Sequence, residues 1–227
     1  SYGIPDTGKT ELADVLVDAR RITRRVDLPL LVDIDTGWDD PAAAVRAMAE
    51  AGVAAVHLED QVPAKVCGHL PGKHLVSRAE MVARIQAAVA GKPSGDFVVM
   101  ARTDAAANEG VPAAIERAQA YLAAGADMIF AEALHTLDDY RAFTTAVPVP
   151  VLANLTEFGQ TPYFTVEELR SAGIAMVLYP LSASRAAAAA SRDVYAAIRH
   201  DGTQQAVVSR MQTRSDLYTT LGYEPPK

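Results

Sequence analysis

Short apolar runs, each closed by polar or acidic residues, alternate along the chain with longer Ala- and Leu-rich segments whose apolar positions recur at helical spacing. The runs predict strands at Leu28–Asp35, Val53–Asp60, Phe97–Asp104, Asp127–Glu132, Val149–Asn154 and Ala175–Leu181. The segments between them predict helices at Pro41–Ala51, Arg78–Ala90, Val111–Ala124, Leu137–Ala146 and Val166–Ala172. A further helix, Leu12–Val26, precedes the first strand, with Thr10 as its cap and Leu12, Val15, Leu16, Ala19 and Ile22 on one face. The opening Ser1–Gly8 reads as a loop, and Ser184–His200 and Gln204–Leu217 read as helices. Three helices close on Ala-Gly pairs, Ala51-Gly52, Ala124-Gly125 and Ala172-Gly173, where a glycine can turn left-handed and end the helix.

Strands that alternate with helices pair in parallel, and continuous apolar strands belong to a sheet covered on both faces. A doubly wound sheet would take six strands, but no Gly-rich phosphate loop follows the first of them. A (β/α)8 TIM-type barrel accounts for more, because polar residues gather at the carboxyl end of every strand: Asp33 and Asp35, Glu59 and Asp60, Arg102 and Asp104, Glu132, Asn154, then Tyr179 and Ser182. Active sites of such barrels are built on that rim. The expectation is therefore one α/β barrel domain over residues 1–227 with a helical extension at 184–227. It lacks the barrel's first two strands, which would precede Ser1.

Half of the 227 residues are hydrophobic, mostly Ala, Val and Leu, as helix–sheet packing requires. A net charge of −7 disfavours nucleic acid and anionic membrane as partners. One cysteine excludes an internal disulfide framework and fits a reducing cytoplasm. No apolar run is long enough to span a bilayer, and the N-terminus has no signal-peptide pattern.

That cysteine lies in Lys65-Val66-Cys67-Gly68-His69, among Pro63, Pro71 and Gly72, in a segment that reads as a loop. Positive charge beside a thiol lowers its pKa, so Cys67 is a candidate proton donor; the alternative is an inert small hydrophobe. Asp33 and Asp35, two apart on one strand, would point to one face. With Glu59 they form an all-oxygen set suited to Mg²⁺, with Mn²⁺ as its substitute. Asp39 and Asp40 read as helix caps instead. Arg102 ends an apolar strand and needs an anionic partner, either Asp104 or a substrate carboxylate. Asn154 and Thr156 offer neutral donors or a local turn, and His57 reads as a core histidine.

Leu31-Val32-Asp33-Ile34-Asp35-Thr36-Gly37, His57-Leu58-Glu59-Asp60-Gln61, the Lys65–His69 run, Met100–Asp104 and Asn154–Pro162 together resemble the isocitrate lyase/phosphoenolpyruvate mutase superfamily, in its order and over nearly the whole chain. The Cys-Gly-His run, Glu157–Pro162 and Met211-Gln212-Thr213-Arg214 resemble its lyase branch. The resemblance implies an eight-stranded barrel with C-terminal helices swapped between subunits, a cytoplasmic homotetramer and a Mg²⁺-dependent carbon–carbon cleavage. Its substrate would be a small 2-hydroxy tricarboxylate, a methylated isocitrate of propionate breakdown, split to succinate and pyruvate. Isocitrate and dimethylmalate-like acids are alternative substrates within the superfamily, and an alternative of another class is a catalytically silent carboxylate-binding barrel that keeps the fold but not the chemistry.

Carried over by motif, Asp33 and Asp35 would hold Mg²⁺, with Glu59 nearby through water. Cys67, Gly68 and His69 would close over the substrate, with Lys65 beside them. Arg102, Glu132, Asn154, Leu155, Thr156, Arg185 and Arg214 would line its site, and Asp6 matches a further active-site acid. The family's tyrosine and Ser-Gly-Gly turn belong to strands before Ser1, so the general base is left open. Val66 stands where a basic residue is usual, and Gly37–Pro41 is about four residues shorter than in related lyases.

Overall fold

The computed structural model describes residues 3–63 and 72–224. Its first compact unit runs from Ser1 to Pro180 and its second from Leu181 to Lys227. The first holds α1 (Leu12–Thr23), β1 (Leu31–Asp33), α2 (Pro41–Glu50), β2 (Ala55–Glu59), α3 (Arg78–Ala90), β3 (Val98–Thr103), α4 (Ala105–Glu109), α5 (Val111–Ala123), β4 (Met128–Ala131), α6 (Leu137–Ala146), β5 (Val151–Asn154), α7 (Val166–Ser171) and β6 (Met176–Leu178). All six strands pair in parallel in sequence order, as a sheet curled into half a barrel. The second unit holds α8 (Ser182–Asp201), a 3₁₀ turn (Gln205–Arg210) and α9 (Arg214–Leu221).

Parity along each strand divides the side chains between two environments. One face contributes Val56, Leu58, Val99, Ala101, Ile129 and Ala153 to a large core shared with Met81 and Ile85 of α3, Tyr121 of α5 and Phe143 of α6. The other contributes a smaller cluster, Met100, Phe130 and Leu152 with Leu31, Met128 and Leu178, made of strand residues alone. Asp33, Glu59, Arg102, Glu132 and Asn154 share the parity of this second set and extend it toward the carboxyl ends.

Glycines act where the helices turn back toward the sheet. Gly52, Gly125 and Gly173 have φ of 82°, 105° and 83°, so the three Ala-Gly endings do close their helices left-handed. Asp40 caps α2 by accepting the Ala43 N–H at 2.9 Å. Thr10 does not cap α1; Glu11 holds that position without a side-chain bond, and the Thr10 carbonyl accepts from Trp38 Nε1 at 2.8 Å. The helix ends at Thr23, where the hydroxyl donates to the Ala51 carbonyl at 2.7 Å.

Three further expectations change. The first strand is Leu31–Asp33, not Leu28–Asp35, because the Asp35 N–H donates to Asp33 Oδ1 at 2.8 Å and Asp35 turns left-handed at φ 51°. Such an Asx turn competes with strand extension. The third strand stops at Thr103, and an additional short helix, α4, starts directly after Asp104. The helix expected over Gln204–Leu217 is broken: Thr213 and Asp216 form a reciprocal capping box that starts α9 afresh.

Candidate active site

The carboxyl ends of β1 to β5 place an acidic group of side chains around one guanidinium. Arg102 on β3 donates from Nε to Asp104 Oδ2 at 2.9 Å and from Nη2 to Asp104 Oδ1 at 3.1 Å. Its Nε also lies 3.3 Å from Glu59 Oε2 and its Nη2 lies 3.3 Å from Glu132 Oε2. The guanidinium carbon stands 4.9 Å from the Phe130 ring centre, a cation–π distance. Arg102 is 7% exposed, whereas Glu59, Asp104 and Glu132 are almost fully buried. Burial works against the charge on Arg102, but Asp104, Glu59 and Glu132 outweigh it and hold the group well above its ordinary pKa.

Asp104 is thus a partner of Arg102 within the chain, joined by two further carboxylates. Glu132 is fixed twice more. Asn154 Nδ2 donates to its Oε2 at 3.1 Å, and the Ala133 N–H donates to its Oε1 at 3.1 Å from a left-handed residue, φ 57°. Asn154 therefore belongs to the buried strand face rather than to a local turn.

Asp104 holds a second cation that no sequence motif singles out. Lys73 Nζ reaches Asp104 Oδ1 at 2.8 Å with both side chains buried. Burial pushes the Asp104 carboxyl up, but Arg102 and Lys73 together pull it down to about 2. Asp60, adjacent to Glu59, points the opposite way, to the helix side. It accepts from the Asp104 N–H at 2.9 Å, the Thr103 hydroxyl at 2.8 Å and the Tyr121 hydroxyl at 2.8 Å. Burial, with the Asp104 charge, raises its pKa even though those three bonds lower it. Strand parity is the signal that separates Asp60 from the site; Lys73, in an irregular segment, carries no such signal.

On β1 the carboxylates part company. Asp33 pairs in register with His57 of β2, and its Oδ1 lies 3.6 Å from His57 Nδ1. His57 is buried, edge-on to Phe130 at 5.1 Å, which makes it a core histidine that also borders the site. Asp35 lies one step further on, its carbonyl accepting from the Glu59 N–H at 2.8 Å. Asp35 therefore lies in the turn after the strand rather than on the strand with Asp33. Among the described residues no three His, Cys, Asp or Glu side chains form a ready-made metal site. Asp33 and Asp35 nevertheless fit a hard divalent cation, because Mg²⁺ takes one or two carboxylates and completes its shell with water and substrate. The Asp33 side chain, 45% exposed, can be reached from solvent.

Asp6 sits in an exposed bend. Leu155 turns its side chain into the helix-facing core and gives its N–H to the Leu178 carbonyl at 2.9 Å, while Thr156 is buried beside it. Arg185, exposed in the first turn of α8, and Arg214, exposed at the start of α9, belong to the second unit. Lys65, Cys67, Gly68 and His69 lie outside the described residues.

Six parallel strands with their acidic and cationic residues collected at one end define a parallel α/β protein with a candidate site at the strand tips. The family model of phosphoenolpyruvate phosphomutase matches residues 1–199, and the chain belongs to that family. It is 58% identical over 226 residues to the 2-methylisocitrate lyase of Shewanella oneidensis, a match spanning 98% of this chain and 77% of that protein. Among solved structures, 2,3-dimethylmalate lyase, a PEP mutase/isocitrate lyase superfamily member, matches with a TM-score of 0.89 and 33% identity over 97% of this chain and 75% of its own. Phosphonopyruvate hydrolase in complex with oxalate and Mg²⁺ matches with a TM-score of 0.81 and 32% identity, over 97% of this chain and 78% of its own.

Proposed function

We propose that this chain is a Mg²⁺-dependent carbon–carbon lyase that cleaves 2-methylisocitrate to pyruvate and succinate. The observation that carries this reading is the buried Arg102, fixed by Asp104 and bordered by Glu59, Glu132 and Asn154 at the strand tips. The name and identity of the Shewanella relative supply the substrate.

Cleavage requires a base to remove the hydroxyl proton. The carbon–carbon bond then breaks, its electron pair passing to the succinate carbon as an enediolate, while the hydroxyl carbon becomes the keto group of pyruvate. An acid must finally protonate the succinate carbon. Arg102 supplies fixed positive charge where the carboxylate gains electron density. Glu132 and Asn154, with Leu155, Thr156, Arg185, Arg214 and Asp6, bind and orient the acid groups. Cys67 delivers the last proton, assisted by Lys65 and His69, and Gly68 belongs to the substrate-binding set. Asp33 and Asp35 hold Mg²⁺, with Glu59 close by, and the cation supplies positive charge for the substrate's oxygen atoms. The related phosphonopyruvate hydrolase, solved in complex with oxalate and Mg²⁺, supports a divalent cation in this family.

The half-barrel is further read as part of an eight-stranded barrel whose α8 and α9 exchange between the subunits of a cytoplasmic homotetramer. Support comes from α8, which buries none of its own residues and leaves Tyr195 73% exposed. Among the described residues no helix is long and apolar enough to cross a membrane.

The test follows pyruvate release from 2-methylisocitrate with Mg²⁺, beside glyoxylate release from isocitrate, for the parent chain and Cys67→Ser. Pyruvate from the parent, strongly reduced in the variant, is the expected result. Glyoxylate formed faster than pyruvate moves the substrate to isocitrate. Neither product from the parent overturns the lyase reading.

A further inference from the structure

Lys73 is a buried lysine with no place in the chemistry above. Its ammonium meets Asp104 Oδ1 at 2.8 Å, and the same oxygen accepts Arg102 Nη2 at 3.1 Å. Buried lysines are rare and costly unless paired, so an aliphatic residue would fill this position at lower cost. The position itself is firmly held. The Lys73 carbonyl accepts from Asn108 Nδ2 at 2.9 Å, Leu75 bridges to Gln61, and the Val76 N–H donates to the Asp60 carbonyl at 2.9 Å. Asp104 is held as well, its N–H donating to Asp60 Oδ1 at 2.9 Å. It stands at the N-cap of α4 yet makes no capping bond, because its carboxylate is turned to the two cations.

We propose that Lys73 is a positioning residue for Arg102, acting through the Asp104 carboxylate that both side chains share. With Lys73 in place, the charge of Asp104 is divided between two cations. The guanidinium then stays suspended between Asp104, Glu59 and Glu132 and keeps its field toward the open strand ends. Without Lys73, three buried carboxylates share one cation instead of two, and Asp104 draws Arg102 toward itself and away from an incoming carboxylate. This rests on the reading above, in which Arg102 faces the substrate.

Three variants test it: Lys73→Met, which keeps the stem; Lys73→Gln, which keeps a donor to Asp104 but no charge; and Lys73→Met combined with Asp104→Asn, which removes both charges. Turnover of 2-methylisocitrate with Mg²⁺ gives kcat and KM, denaturation confirms folding, and the Arg102 Nε–H nuclear magnetic resonance signal, assigned by its loss in Arg102→Lys, reports the guanidinium directly. The expected outcome is a kcat about tenfold lower in Lys73→Met and Lys73→Gln, with KM changed less than about threefold and the Nε–H signal displaced. Set beside Asp104→Asn alone, the double variant should be little worse, because Lys73 acts through a carboxylate that is already gone. If Lys73→Met does not fold, Lys73→Gln carries the measurement. A folded single variant with the parent's kcat and an unmoved Nε–H signal overturns the proposal, as does a Lys73→Met change that costs as much in the Asp104→Asn background as in the parent. If the parent forms no pyruvate, the lyase reading falls, and the Nε–H signal still decides whether Lys73 positions Arg102.

Discussion

Arg102 and Asp104, two residues apart at the end of β3, are joined by two buried hydrogen bonds of 2.9 and 3.1 Å. A planar guanidinium meeting a carboxylate at two points is fixed in orientation as well as position. The same Nε and Nη2 atoms lie 3.3 Å from Glu59 Oε2 and from Glu132 Oε2, which gives the site a preset cationic point.

An Arg102→Lys variant follows directly. It keeps one positive charge but loses the fork that holds Asp104 while facing two other carboxylates. We expect kcat on 2-methylisocitrate to fall by about 10²–10³-fold, the usual loss on removing a preorganised charge donor. Steady-state pyruvate release measures it, and a loss under about fivefold would place Arg102 outside the reacting centre.

Asp104 also makes acid stability predictable. Its carboxyl is held at about 2 in the folded chain against the usual 3.8, so its ionised form stabilises the fold. That contribution is complete above the unfolded value and is lost as pH falls from about 4 toward 2, amounting to about 2 kcal/mol. Asp60 works in the opposite sense, since burial raises its pKa: its contribution favours the fold at low pH and is lost as pH rises through the raised value. Urea unfolding of the parent and of Asp104→Asn should therefore give a stability difference that shrinks by about 2 kcal/mol between pH 6 and pH 2.5. An unchanged difference would mean that Asp104 is not held ionised by its partners.

Most of the βα order was legible because each strand is a short apolar run and each helix carries its own punctuation. Strand ends were less legible. Asp33 looked like mid-strand because Asp35 follows at the alternating position, yet its side chain captures the Asp35 N–H and stops the strand. The candidate site was legible as a set of strand tips, since Arg102, Glu132 and Asn154 do converge. Strand parity separated Glu59 from the adjacent Asp60, and the register then set Glu59 opposite Arg102. Lys73 was invisible to pattern, because its partner lies 31 residues away and its own segment has no periodicity.

Removal of divalent cations should abolish turnover, and added Mg²⁺ should restore it, with Mn²⁺ as a weaker or equal substitute. Asp33→Asn should raise the Mg²⁺ concentration for half-maximal rate by about tenfold or more, because it removes one of two carboxylates. Asp39→Asn serves as the control: Asp39 is an exposed residue of the same loop and should leave that concentration unchanged. Equal effects at Asp33 and Asp39 would remove Asp33 from the proposed cation set.

The scaffold beneath the site makes a steric prediction of its own. Gly91 ends α3 with an ordinary φ of −83°, so its lack of a side chain is not required by backbone conformation. It is required by α2: a Cβ at Gly91 would stand 2.4 Å from the Ala42 carbonyl oxygen and 2.8 Å from the Ala42 Cα. Both are backbone atoms, so no rotamer change can make room and the two helices must separate. Gly91→Ala should therefore destabilise the chain by about 1–3 kcal/mol, although alanine is the better helix former. Gly95→Ala is the matched comparison, since nothing lies within 4 Å of its Cβ position. There the same substitution should be neutral or stabilise by up to about 1 kcal/mol, through the smaller entropy of the unfolded chain. Urea midpoints for the two variants measured side by side would reveal the contrast. Equal midpoints would mean that α2 and α3 do not pack this closely in solution.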